Sequence, residues 1–187
     1  TLKAVPLAGG APADLGEVDR PHGARWKSAN QIWVSDNNST ALRVFDPAAR
    51  TSRSASSDAC LIPDVLPDGR FLCGFREWPA AVLATADSLG HLTTDFLRLQ
   101  SDGTTDTTAL LAGTDFRQVD QSHIAFMALD GTLSASKVDL TRHRVGTPVP
   151  LIPGVRREGF NGPGQYAIAA SGTLVYAPGD NAEIGSF

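Results

Sequence analysis

The chain has 187 residues, enough for one sizeable domain and too few for two well-buried cores unless both are small. Hydrophobic residues at 42% and charged residues at 19% exclude a disordered tail, and a formal charge of −4 offers no broad attraction to phosphate, so no nucleic-acid partner is expected. No window reaches the roughly 18 consecutive apolar residues of a membrane span, so no membrane insertion is expected, and 18 Gly and 12 Pro against 1 Met favour short strands and many turns.

The opening, Thr1 to Pro6, lacks the build of a signal peptide, and the missing initiator Met fits a mature form or a fragment, which leaves the loss of an export signal open. Beyond about residue 20, a turn followed by a short apolar run recurs at Asn30-Gln31-Ile32-Trp33-Val34, Asp68-Gly69-Arg70-Phe71-Leu72, Gln121-Ser122-His123-Ile124-Ala125-Phe126 and Ser171-Gly172-Thr173-Leu174-Val175-Tyr176. The spacing of roughly 40 to 50 residues is that of a four-stranded propeller blade. A strand-like stretch precedes each turn, at Gly23 to Lys27, Leu61 to Leu66, Phe116 to Val119 and Tyr166 to Ala170, so each turn reads as a hairpin. Further alternating segments follow at Ala41 to Asp46, Asp95 to Leu99 and Leu133 to Val138, and the polar stretch Thr51 to Ser57 reads as an exposed outer strand. Contiguous apolar triplets suit strands covered on both faces, and Ile32, Phe71, Ile124 and Val175 are expected as equivalent buried positions. Gly69 and Gly172 are expected in tight turns at positive φ.

Leu66-Pro67-Asp68-Gly69-Arg70-Phe71-Leu72 resembles the Pro-Asp-Gly-(Lys/Arg)-apolar hairpin of TolB-like β-propeller repeats. His123 to Val155, followed by Gln165 to Gly179, is similar to the last blades of propellers in periplasmic proteins and on the extracytoplasmic side of bacterial sensor kinases. The resemblance covers most of the chain, fits best at Asp68-Gly69 and departs at Gln121-Ser122 and Ser171-Gly172. It implies an all-β fold, a β-propeller or propeller fragment of four-stranded antiparallel blades, and a periplasmic or extracytoplasmic location. The repeat divides the chain into a half blade at 1–20, blades at about 21–57, 58–113 and 114–155, and a half blade at about 156–187. The halves either close a four-bladed ring or pair between chains as a homo-oligomer. Pairing between chains is favoured, because four is the lower limit of ring size and TolB-like propellers resemble six-bladed rings.

In an antiparallel blade the first and third turns share one face, and the first turns here are short, so a site is expected among the longer loops of the opposite face. Asp36, Asn38, Glu77, Asp115, Glu158 and Asp180 supply oxygens there that suit Ca²⁺; no other cofactor is expected, and Asp and Asn equally suit turns. His22, Trp78, Phe160 and Asn161 are the candidate contacts for a protein or small-molecule ligand. Catalytic signatures are missing: no Gly-x-Ser-x-Gly elbow, Gly-rich phosphate loop, His-Glu-x-x-His or Cys-x-x-Cys occurs. His123 has no carboxylate at a readable spacing and reads as structural, while Arg142-His143-Arg144 and Arg156-Arg157 read as solvated turns. Pairing about the Asp68-Gly69 turn sets Cys73 opposite Asp64 and Cys60 opposite Glu77, roughly 13 Å apart, which predicts two free buried thiols. The functional expectation is a non-catalytic binding or sensor module, with a Ca²⁺-dependent propeller hydrolase such as a lactonase as the alternative.

Overall fold

The computed structural model describes residues 1–19, 21–36, 41–55, 60–74, 80–86, 92–99, 110–157, 162–169 and 171–179. Among them the regular structure is all β, and no helix is long and apolar enough to cross a membrane. Strands β1 (Leu2–Ala4) and β2 (Ala13–Gly16) pair as a small antiparallel sheet. A first meander joins β3 (Pro21–Ser28), β4 (Gln31–Asp36), β5 (Ala41–Asp46) and β6 (Thr51–Ser54), each strand beside the next. A second joins β7 (Leu61–Val65), β8 (Phe71–Gly74), β9 (Ala81–Ala86) and β10 (Leu92–Phe96) in the same way. The third contains β12 (Thr114–Asp120), β13 (His123–Met127) and β14 (Leu133–Asp139), with the far edge of β14 shared by β15 (Arg144–Val145) and β16 (Val149–Ile152). β11 (Arg98–Leu99) crosses from the second sheet to run parallel with β15, and β17 (Tyr166–Ile168) with β18 (Leu174–Tyr176) forms a last hairpin.

The turns follow from local chemistry. Between β7 and β8 the Leu66 carbonyl accepts from the Gly69 N–H at 2.9 Å, and the Leu66 N–H donates to the Arg70 carbonyl at 2.8 Å. Pro67 presets the first central φ of that turn, and Gly69 takes the left-handed position at φ 85°. The same pair of bonds closes Ala169 to Thr173, with Gly172 at φ 83°. Ser171-Gly172 therefore builds the hairpin of Asp68-Gly69 despite its different sequence, because the geometry requires only the glycine.

The apolar runs serve two cores each. In β4, Trp33 turns toward Phe71, Cys73 and Ala84 of the second sheet, while Ile32 and Val34 pack with Phe45 and with Leu15 of β2. In β13, Ile124 and Phe126 join Leu72, Leu83 and Phe116, whereas Ala125 and Met127 join Val155 and Tyr166. This is period-two alternation in strands covered on both sides. The first strands of successive sheets are neighbours: β7 lies against β3, and β12 lies against β7 and β8.

Several expectations need correction. Ile32, Phe71 and Ile124 are buried, but Val175 is 61% exposed. Leu174 beside it turns to the third sheet, and no described sheet covers the side that Val175 faces. Asp95 to Leu99 does not form a third strand but is divided between β10 and β11. The third place in that sheet belongs to β9, whose Ala81-Val82-Leu83-Ala84 run is buried throughout and carries no alternation to read.

Cys60 and Cys73 form a disulfide, with Cα atoms 5.3 Å apart, where free thiols were expected. The register explains it. Asp64 pairs with Leu72, one residue tighter than assumed, and a bulge at Ile62, held at φ 52°, then sets Leu61 opposite Gly74. The two one-residue shifts halve the offset from four residues to two, and Cys60, which precedes β7 and lies outside its ladder, closes the remainder.

Candidate functional site

Of the residues singled out above, His22, Asp36 and Asp115 are described; Asn38, Glu77, Trp78, Glu158, Phe160, Asn161 and Asp180 lie outside the described residues. His22 and Asp36 lie near the same end of the β3–β4 pair, where Pro21 stands opposite Asp36, while Asp115 belongs to β12. Asp36 ends β4 and pairs with Arg43 of β5 at 3.7 Å. His22 lies on β3, its Nε2 buried without a hydrogen-bond partner. Among the described residues, no three His, Cys, Asp or Glu side chains gather to hold a metal ion.

Asp115 stands inside β12, not in a loop, at φ 49° and with a fully buried side chain. The Arg117 Nε donates to Oδ1 at 3.0 Å and Nη2 donates to Oδ2 at 3.2 Å, while the Gly164 N–H donates to Oδ2 at 3.1 Å. The Tyr166 hydroxyl donates to the Asp115 carbonyl at 2.5 Å. Burial pushes the Asp115 carboxyl up, opposed by the guanidinium of Arg117. Burial acts most strongly on Arg117 and would lower it, but the charge and hydrogen bonds of Asp115, with Tyr166 and Asp64, together hold that group above its ordinary value. Burial, reinforced by Asp115, raises the Tyr166 hydroxyl well above its usual range.

This cluster belongs to a polar chain that sequence reading missed. Arg25 of β3 approaches Asp64 of β7 at 3.6 Å, and Asp64 Oδ2 accepts the Gln118 N–H of β12 at 2.8 Å. The Arg117 guanidinium lies 4.8 Å from the centre of the Tyr166 ring on β17. The first strands of three sheets and of the last hairpin are thus tied by charged side chains. The available signal was charge inside strands that otherwise read as inner.

Much of the remaining Asp makes turns. Asp46, Asp68, Asp120, Asp130 and Asp139 each accept the N–H two residues ahead, and Asp14 makes the same contact within β2. His123 does have a carboxylate partner: Asp120 Oδ2 lies 2.9 Å from its Nδ1, across the two-residue Gln121-Ser122 turn. Ser122 Oγ meets the same Nδ1 at 3.2 Å, so these groups form no relay, which requires Ser and Asp on opposite ring nitrogens. The solvated-turn reading holds for Arg142, which is 81% exposed beside Asp139. It fails for Arg157, which is buried and donates to the carbonyls of Ala128 and Leu129, both at 3.2 Å.

A cleft of about 440 Å³ opens between the second and third sheets, lined by Leu66, Pro67, Asp68, Arg70, Gln118, Gln121, Val138, Asp139, Leu140 and Thr141. It lies at the end bearing the β7–β8 and β12–β13 turns. The space sits between hairpins of adjacent sheets, which a view of each short turn alone does not reveal. Arg70 spans it, bound to Asp68 at 2.7 Å and to the Leu140 carbonyl at 3.1 Å. Gln118 joins this cleft to the inner polar chain, its backbone held by Asp64 while the residue lines the opening. No protein-family model matches this chain, and no curated protein matches it.

Proposed function

We propose that this chain is a non-catalytic binding module of β-propeller type, and that its cleft between the second and third sheets takes a short peptide segment or a small molecule of mixed polar and apolar character. The cleft carries the proposal. Pro67, Leu140 and the edge of Val138 offer apolar surface, the amides of Gln118 and Gln121 and the hydroxyl of Thr141 offer donors and acceptors, and about 440 Å³ falls within the usual range for small-ligand sites. Four-stranded antiparallel meanders, stacked through their first strands, support reading the sheets as blades, in keeping with the resemblance to TolB-like repeats. The Cys60–Cys73 disulfide supports a periplasmic or extracytoplasmic setting, where such bonds persist.

The test is titration of the ¹⁵N-labelled chain with a library of tri- and tetrapeptides and small polar molecules. Amide shifts are expected to concentrate at residues 66–70, 118–121 and 138–141, and to vanish in Thr141→Arg, which fills the cleft from an exposed turn. Binding that Thr141→Arg leaves intact would overturn the site. Lactone hydrolysis abolished by a chelator would replace the proposal with the Ca²⁺-dependent hydrolase.

A further inference from the structure

We infer that two copies of this chain join head to tail, the β17–β18 hairpin of one copy and the β1–β2 sheet of the other forming one four-stranded sheet; the inference rests on reading the sheets as propeller blades. Two incomplete surfaces lead to it. The β1–β2 sheet lies on β5 and β6, the outer strands of the first sheet, and packs Leu15 against Ile32, Val34 and Phe45. Ala24 and Trp26 of β3 pair directly with Val34 and Ile32, so they share that face. Yet Ala24 is exposed and Trp26 is 56% exposed. The outer half of the face is covered and the inner half is bare.

The last hairpin has the opposite deficiency. Its Tyr166, Ile168 and Leu174 face the third sheet, while Ala167 and Val175, directly paired, face away and are exposed. It is an inner pair of strands without outer ones, with an uncovered apolar face of the kind that Trp26 lacks. Among the described residues of one chain the two small sheets remain separate, with β1 and β18 having one strand partner each. One chain would close a ring of four sheets, the bottom of the usual range, whereas two chains supply eight, its upper end.

Pleating fixes the register of the junction. Opposed residues on paired strands share a face, so Val175 must stand opposite Leu2 or Ala4, which turn toward the first sheet. A slip of one residue would instead set Val175 opposite Lys3, on the face turned away from Trp26.

The 187-residue chain is expected to sediment at twice its 19.7 kDa. Mixing Val175→Cys with Leu2→Cys and, separately, with Ala4→Cys under mild oxidation is expected to give, in one of the two mixtures, a linked pair of chains at least tenfold more abundant than in any single variant alone. Val175→Lys alters a side chain exposed in the single copy, so it is expected to keep the far-ultraviolet spectrum while halving the mass. A folded monomer at every concentration overturns the inference and leaves the blade reading standing. A dimer in which Val175 links to neither Leu2 nor Ala4 overturns the junction, and a linked dimer whose electron micrographs show no eight-lobed ring overturns the blade reading beneath it.

Discussion

Asp115 has surroundings its local sequence does not announce. In Gly113-Thr114-Asp115 it reads as a loop oxygen donor, yet it is buried in β12 and both carboxylate oxygens accept hydrogen bonds. Its partners come from Arg117 and from Gly164, far along the chain, so only the stacked sheets reveal them. Arg117→Met would leave a buried carboxylate without its counter-charge, and we expect a loss of about 3 kcal/mol at pH 7. The pH dependence has a definite sign. Burial raises the folded pKa of Asp115 above 3.8, so the native state binds the proton more tightly than the unfolded chain. The deficit of the variant relative to the parent should therefore shrink as pH falls toward 3.8. Urea midpoints at pH 7 and pH 4 measure this, and equal deficits at both would show that Asp115 is not its source.

Turns and strands were the most legible elements, and where the reading failed the cause was physical. Hairpins about Asp68-Gly69 and Ser171-Gly172 were readable because glycine at positive φ is a backbone requirement written into the residue. β9 was not, since an alanine-rich run buried on both faces has no alternation. Nor was the bulge at Ile62, because nothing in Leu61-Ile62-Pro63 marks an extra residue. Gly69→Val should cost about 1 to 2 kcal/mol through its left-handed φ, and Phe71→Ala, which empties a fully buried site beside Trp33, about 3 to 5 kcal/mol. Chemical denaturation of the two variants checks that order. The turn carboxylates contribute to the acid sensitivity of the fold. The Arg70 side chain lowers Asp68, the Ser122 N–H lowers Asp120, and the Arg142 N–H lowers Asp139. Their stabilisation is complete above 3.8 and is lost as pH falls through the lowered values. Replacing all three with Asn should flatten the fall in stability between pH 4 and pH 2, and an unchanged slope would assign acid lability elsewhere.

At the scale of the whole molecule, the second sheet decides whether the stack unfolds as one body. Its Phe71 and Cys73 belong to the core shared with the first sheet, while Leu72 and Leu83 belong to the core shared with the third, so losing it exposes both neighbours. The Cys60–Cys73 disulfide sits in this sheet, 3% and 1% exposed, and reductant can reach it only when the sheet opens. Closing a loop across 13 residues stabilises by about 2 to 3 kcal/mol through the unfolded chain. The variant carrying Cys60→Ala and Cys73→Ala should then melt at a lower temperature in one transition, because each inter-sheet core loses its shared wall at once. Calorimetry distinguishes the cases. A single peak shifted downward supports a stack coupled through its middle sheet and the Arg25–Asp64–Gln118 ties. Two separated peaks, with the first sheet melting apart from the third, would mean that each sheet holds its own stability and that those ties carry little of the coupling.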